Sequence, residues 1–566
     1  HLSGTGIGDM GDILLLPFTG EINEHLVGEF EKVDEKATPG FYKVKLKNFN
    51  VTAELSATPR TGIHRYTFPA DHKQMLLLDL GHILQPNWGH KSLAAKVEVV
   101  NDSTIRGERR SSGWAFDHPV YFYAQFSKPF QIEKSTNGEA ILSGSLLEGK
   151  YLKVYFSFPE NETSELLIRV GISPVSMKGA QKNLEEELAH WDFDKVVDDA
   201  RAQWNEALRV IEIESSEEAV LKNFYTALYH CMMAPMLAQD VDGQYRGMDK
   251  QIHQAEAGFT NYTVFSLWDT FRAWHPLMTI IAPEKTGEWI NALLRKYIEG
   301  GVLSKWPLAS NYTGTMVGYP AVAVLADAMC KGIDGFDPAL ALEAAVLSST
   351  YRPDITASHP EPRAAQVMPR HLHFVNTQEY IPADSVGQSV SYGLECAYYD
   401  WCIAQMAEQL GEDSIQQIYT QRSKYYKNYF DRSTGFMRGR MADGTWKAPF
   451  NPFYSDHENS EYVEGNAWQW SWFVPHNVEG FVELMGGREA FILKLDSLFS
   501  ASSRIEGEHA SADITGLIGQ YAHGNEPSHH VAHYYNYVRQ PEKTQKLVDQ
   551  IWQTLYFPTP EGISGN

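Results

Sequence analysis

Asn183-Leu-Glu-Glu-Glu-Leu-Ala-His-Trp191, with the run from 196 to 211 behind it, is where the hydrophobic period of the chain changes. Upstream, apolar and polar residues alternate, the period of half-buried strands. In these two runs the apolar residues gather on one stripe with charge around the rest, which is the helical period. After Glu212 the helical pattern continues almost to the end. The expected class is therefore β followed by α: an antiparallel β-sandwich over residues 1–182, a helical linker over 183–214, and a helical domain over 215–566.

Outward from the junction, both halves carry their own signatures. Before it, short apolar runs recur: Phe41-Tyr-Lys-Val-Lys-Leu46, Met75-Leu-Leu-Leu-Asp-Leu80, Val120-Tyr-Phe-Tyr-Ala-Gln-Phe126 and Leu152-Lys-Val-Tyr-Phe-Ser-Phe158. Gly, Asn and Asp turns separate them, and many short strands without intervening helices imply a sandwich. Beyond it, helices are expected near 217–240, 283–298, 318–332, 338–350, 386–410, 413–430, 466–485, 488–500, 527–539 and 541–555. Long, aromatic and polar connections join them. That pattern suits an α/α toroid whose loops build a pocket at one end, since a simple bundle would have shorter connections.

At 566 residues the chain exceeds one typical core. Its net charge of −23 argues against nucleic acid or an anionic membrane surface as partner. No apolar run of about 18 residues or more occurs, so no membrane span is expected. Cys231, Cys330, Cys396 and Cys402 are scattered without zinc or redox spacing and read as free thiols. Both ends look like the middles of loops, as in a segment of a longer protein.

The chemistry sits in the connections. Tyr462-Val-Glu-Gly-Asn-Ala-Trp-Gln-Trp-Ser-Trp472 places one carboxylate, Glu464, before a run of amides and indoles. Indole faces stack on sugar C–H surfaces, amides bond hydroxyl pairs, and a carboxylic acid can protonate a glycosidic oxygen; a core helix start is the alternative. In 258–275, Trp268, Asp269 and Arg272 read either as a local ion pair at a helix start or as a sugar clamp. Asp327, at an apolar helix position, implies a partner. In Gly519-Gln-Tyr-Ala-His-Gly-Asn-Glu-Pro-Ser-His-His530, Asn525 and Glu526 offer hard oxygen ligands that suit Ca²⁺. His523, His529 and His530 have neither HExxH nor a closed zinc spacing.

Taken together, Phe265-Ser-Leu-Trp-Asp-Thr-Phe-Arg272, Glu379-Tyr-Ile-Pro-Ala-Asp384, Ala397-Tyr-Tyr-Asp-Trp-Cys-Ile-Ala404, Glu464-Gly-Asn-Ala-Trp-Gln-Trp470, His523-Gly-Asn-Glu-Pro-Ser-His-His530 and the opening His1-Leu-Ser-Gly-Thr-Gly-Ile-Gly-Asp9 resemble glycoside hydrolase family 92, in order along the whole chain. The resemblance implies a sandwich followed by an (α/α)6 barrel, and an exported, calcium-dependent, inverting exo-α-mannosidase. It implies Glu464 as general acid, with the general base and a further metal ligand expected just beyond Asn566. It places Trp268, Asp269 and Gln469 at the mannose pocket and Asn525 and Glu526 at the calcium. His1, Ser3, Gly4 and Trp114 would reach the pocket from the sandwich. His523 would stand where linkage preference arises. A mannose-containing glycan is the expected partner, and the protein is expected to be a monomer or small homo-oligomer. Two other readings stay open: another (α/α)6 carbohydrate enzyme, which would need no calcium, and a non-catalytic glycan-binding protein.

Overall fold

The computed structural model describes residues 8–23, 25–70, 72–159, 164–357, 367–560 and 562–565. The chain divides into two compact units. The first is His1–Glu212 with Leu228–Val264 and Leu308–Asn311; the second is Ile213–Ala227, Phe265–Pro307 and Tyr312–Asn566.

Among the described residues, the two large sheets of the first unit are built on fourteen strands: β1 Leu14–Phe18, β2 Glu35–Thr38, β3 Phe41–Leu46, β4 Val51–Ala57, β5 Thr61–Thr67, β6 Gln74–Asp79, β7 Lys91–Asn101, β8 Thr104–Ser112, β9 His118–Phe126, β10 Gln131–Asn137, β11 Ala140–Ile141, β12 Leu146–Gly149, β13 Leu152–Phe158 and β14 Glu165–Ser173. They form a five-stranded sheet ordered β1-β6-β13-β10-β11 and a nine-stranded sheet ordered β12-β7-β8-β9-β14-β5-β4-β3-β2. Strand β6 lies between β1 and β13 in antiparallel register, Leu77 opposite both Leu16 and Tyr155, and all six of its residues are buried. A strand covered on both faces has no need to alternate, which accounts for its unbroken Leu76-Leu77-Leu78. Strands β7 and β8 alternate instead. Val97 and Ile105 enter the core, while Glu98 and Arg106 stand opposite each other and pair at 2.8 Å.

The two helices that mark the change of period, α1 Met177–Glu187 and α2 Phe193–Leu208, are part of this unit. Their stripe Ala180, Leu184, Phe193, Val196 and Val197 is buried with Ile63 of β5 and Tyr123 of β9. Gly171 in β14 permits the approach, because a Cβ there would lie 2.2 Å from the Ala180 carbonyl oxygen. The linker expected over 183–214 is thus corrected: its apolar stripe finds a sheet to cover, so it docks instead of spanning. Residues 228–264 and 308–311, expected in the helical domain, are drawn into the first unit by polar anchors. Asp240 accepts from Ser173 Oγ (2.7 Å) and Asn183 Nδ2 (2.8 Å). Asp117 pairs with Arg246 (2.6 Å), and its carbonyl accepts from Asn311 Nδ2 (3.0 Å).

The second unit is helical. Its longest helix, Ser389–Leu410, is buried on nearly every side and packs against Ala321–Cys330, Pro338–Ser348, His371–Gln378 and Asp413–Arg422. Asp400 within it is fully buried yet satisfied, with Arg422 at 2.9 and 3.0 Å and the Tyr319 hydroxyl at 2.6 Å. Asp327 finds the partner its position implied in Lys331, one turn on, at 2.8 Å. Four expected helices end early or break: 217–240 stops at Cys231 and 413–430 at Arg422, and two more divide. The stretch 466–485 becomes Ala467–Trp470 and Val478–Leu484, because Pro475 removes a donor and Asn477 caps a fresh start through Gly480 N. The stretch 527–539 becomes short turns, Glu526–Ser528, Val531–His533 and Tyr534–Tyr537. Among the described residues no helix is long and apolar enough to cross a membrane.

Candidate active site

Within the second unit, the segment 462–470 is held from both ends. The Tyr462 hydroxyl donates to Met437 O (2.7 Å), Val463 N to Ser391 Oγ (2.9 Å), and Trp470 Nε1 to Val463 O (2.5 Å). Asn466 caps the next helix: its Oδ1 accepts from Trp468 N and Gln469 N, and Gln469 Oε1 accepts in return from Asn466 N at 2.8 Å. Gln520 closes the clamp, accepting from Asn466 Nδ2 (3.0 Å) and Gln469 Nε2 (3.1 Å) while donating to the Ser502 and Arg504 carbonyls. Glu464 sits at the crest with φ +47°, a left-handed conformation unusual for a side-chain-bearing residue. Surroundings this well bonded can hold strain of that kind, and it clusters where a side chain must be aimed.

Glu464 is 8% exposed. Burial pushes its carboxyl up to about 8, aided by the negative charges of Asp513, Asp269 and Glu526 and opposed by a hydrogen bond from Asn525. Asn525 Nδ2 donates to the Glu464 carbonyl (3.0 Å) and faces its Oε2 at 3.4 Å. The neighbouring indoles are turned away from a direct role: the Trp470 N–H points inward to Val463 O while Trp468 packs on Phe436 and Phe453.

Asp269 is half-buried, accepts from the Ser266 hydroxyl, and is raised above the carboxylate range by burial and by Glu395 and Asp513, against Arg272. Glu526 is likewise raised, by burial and then by Asp269. Arg272 does not neutralise the group outright, being committed to the fully buried Glu395, and its guanidinium lies 4.8 Å from the Trp268 ring and 4.5 Å from that of Phe271. Trp268 Nε1 donates to Glu395 Oε1 at 3.1 Å. At 0% exposure, Trp268 cannot be the pocket wall that its sequence position suggested. It is the support that fixes Glu395 and Arg272 beneath Asp269. Gln469 is also a positioning group here, with both ends of its amide engaged in the loop clamp.

His523 is held between two hydroxyls, Tyr521 OH at Nδ1 (2.9 Å) and Tyr556 OH at Nε2 (2.8 Å), and burial pushes it down to about 4. His529 bonds the His523 carbonyl and His530 the Trp472 carbonyl, so each imidazole has its own partner. His1, Ser3 and Gly4 lie outside the described residues. Trp114 is half-buried in the first unit, its backbone N–H donating to Asp9 Oδ2.

The calcium expectation can be tested on side chains. Among the described residues, Asn525 Oδ1 and Glu526 Oε2, on consecutive residues, are buried oxygens without a hydrogen-bond partner, in a region crowded with negative charge. Buried acceptors left unpaired are costly, and a hard cation satisfies both. Among the described residues no three or more His, Cys, Asp or Glu side chains are grouped to hold a metal. The two oxygens suit a hard cation in kind, and the described residues do not by themselves complete a shell around one.

A carboxylic acid kept neutral, beside clustered carboxylates and orphaned hard oxygens, is the equipment of a glycoside hydrolase. The sequence matches the glycosyl hydrolase family 92 N-terminal domain over residues 1–173 and the catalytic domain over residues 179–566. The chain belongs to glycosyl hydrolase family 92. It is a glycoside hydrolase. Among solved structures of the family, it is 35% identical to an α-mannosidase of Bacteroides thetaiotaomicron determined with mannoimidazole, covering 100% of this chain and 75% of that one at a TM-score of 0.92. It is 29% identical to an inverting family 92 mannosidase of the same organism, covering 98% and 74% at a TM-score of 0.85. A curated relative from Arthroderma benhamiae, described as an uncharacterized secreted glycosidase, is 25% identical over 100% of this chain and 73% of its own length. The β-then-α class of this family 92 chain matches these structures.

Three residues of this cluster carry no functional sign in the sequence pattern alone: Glu395, Asp513 and Gln520. A carboxylate in an otherwise apolar helix stretch, as at Glu395, signals only that such a charge requires a partner.

Proposed function

We propose that this hydrolase is an exo-acting α-mannosidase that removes terminal α-linked mannose by calcium-dependent single displacement, and that it is exported. The observation that carries the reading is Glu464, buried and pushed up to about 8, so that it is a proton donor at neutral pH. Glu464 would protonate the departing glycosidic oxygen. A general base would draw a proton from water on the opposite face of the sugar, and inverting pairs stand about 6.5–9.5 Å apart to admit that water. Asp269, held by Ser266, would accept from sugar hydroxyls, while Arg272, Glu395 and Trp268 fix its footing. Asn525 and Glu526 would hold Ca²⁺, which supplies hard coordination of vicinal sugar hydroxyls and favours a distorted ring. The α-mannosidase structures at 35% and 29% identity support the substrate class, and the relative described as secreted supports export.

The test is digestion of a panel of linked α-mannobioses with and without Ca²⁺, following the released sugar by NMR. β-Mannose appearing first, activity lost in EGTA and restored by Ca²⁺ but not Zn²⁺, is the expected result. α-Mannose first overturns inversion, and full activity after exhaustive chelation overturns the calcium role.

A further inference from the structure

The first unit carries a groove that the hydrolytic chemistry does not use. It has a volume of about 720 Å³ and runs between helix α2 and the strand ends around β2, β3 and β5. From α2 it receives Asp194, Val197, Asp198, Arg201, Trp204 and Asn205, whose spacings of three and four place them along one side of the helix. This stripe shares only Val197 with the one that seals α2 onto the sheet through Phe193, Val196, Val197 and Ala200. At its C-terminal end the sealing stripe would continue into Trp204. There the indole is only half-buried, and it rests against Tyr229 with ring centroids 4.7 Å apart.

The polar wall is braced. Arg65 is fixed between Glu54 (2.8 Å) and Asp194 (2.9 Å) and lies 4.2 Å from the Phe193 ring, and Lys43 reaches the other Glu54 oxygen at 3.3 Å. Ordered charged groups of both signs beside an aromatic edge are poorly suited to an apolar ligand. Four cationic and five anionic side chains line the groove, a near balance that also disfavours a strongly charged one. What remains is a neutral molecule with many hydroxyls and C–H faces, for which carboxylates and amides serve as hydrogen-bond partners and an indole as a platform.

We propose that this groove is a second glycan-binding site in which Trp204 and Asn205 hold a neutral oligosaccharide chain. The carboxylate cluster around Glu464 belongs wholly to the second unit and shares no residue with it. The site would raise the enzyme's occupancy on a polymeric substrate without taking part in bond cleavage.

The test uses the full chain carrying Glu464→Gln, so that the catalytic pocket is the same in every sample. Electrophoretic retardation is measured in gels containing α-mannan, for Glu464→Gln alone and combined with Trp204→Ala, Trp204→Phe or Asn205→Ala. Loss of the indole face should weaken retardation by about three- to tenfold, with Trp204→Phe intermediate. Circular dichroism melts identify any variant that fails to fold, in which case Asn205→Ala carries the comparison. Equal retardation of Glu464→Gln and both folded double variants overturns the proposal. The mannosidase reading fails separately, if otherwise wild-type enzyme leaves α-mannobiosides intact while Trp204-dependent retardation persists.

Discussion

Replacing Glu464 by Gln should do two opposite things, slow turnover sharply and stabilise the protein. Glutamine keeps the shape but can neither donate an acid proton nor ionise. The stability gain follows from where the carboxyl is poised. Its folded value is about 8 against 4.5 for the free group. Between those limits the folded state binds more protons than the unfolded chain, so stability falls as pH rises and is flat outside the window. Each pH unit costs about 1.4 kcal/mol, so at pH 7 the wild-type chain bears roughly 3 kcal/mol that the variant escapes. Urea unfolding of calcium-free protein at pH 4, 7 and 8 should show no difference at the first and a growing advantage for the variant at the others. On a mannobioside, whose leaving group needs the proton, activity should drop by about 10²–10⁴-fold, with a smaller loss on an activated aryl mannoside. Near-normal mannobioside hydrolysis would refute the acid assignment. A variant no more stable than wild type at pH 8 would refute the claim that Glu464 is held neutral.

Two further substitutions probe the supports. Glu395→Gln leaves the Arg272 guanidinium buried without its counter-charge, and should cost about 3–5 kcal/mol in urea unfolding; a cost near zero would show that Arg272 re-pairs elsewhere. Gln520→Ala removes the clamp on Asn466, Ser502 and Arg504, and should cost about 2 kcal/mol while lowering kcat more than it raises KM. An unchanged kcat would mean that Glu464 is aimed without the clamp.

The β-to-α division was legible because it rests on period alone, and α1 and α2 show the limit of that signal. Their stripe announced helices, but the sheet that buries it, through Ile63 and Tyr123, lies more than fifty residues away in sequence. Asp240 and Arg246 were claimed by the first unit for the same reason, through partners that no local pattern reveals. At the site, residue types pointed to Glu464, Asp269, Asn525 and Glu526 because their chemistry is visible in isolation. The indoles misled. A tryptophan in a loop of sugar-binding composition looks exposed, yet Trp268 and Trp470 spend their N–H groups on Glu395 and Val463 inside the protein. Burial decides between wall and support, and burial belongs to the fold.

The crowding that keeps Glu464 neutral makes a prediction about the metal. Glu526 is raised by burial and by the charge of Asp269, and Asp269 by burial and by Glu395 and Asp513, so near neutral pH the two retain a proton that an ordinary carboxylate would have lost. Calcium requires the ionised form of its carboxylate ligand. Binding at Asn525 and Glu526 must therefore expel that proton, and apparent affinity should rise with pH by up to about tenfold per unit until the pair is ionised, then level off. Isothermal titration calorimetry of Ca²⁺ into chelated enzyme at pH 7, in buffers of different ionisation enthalpy, should report release of up to about one proton per ion. Asn525→Ala should weaken binding while leaving that release in place, because the amide carries no proton to lose. Glu526→Gln should weaken binding and suppress the release. A buffer-independent heat for the wild-type chain would mean that calcium meets an already ionised site, and the neutral cluster inferred from burial and like charge would then be wrong.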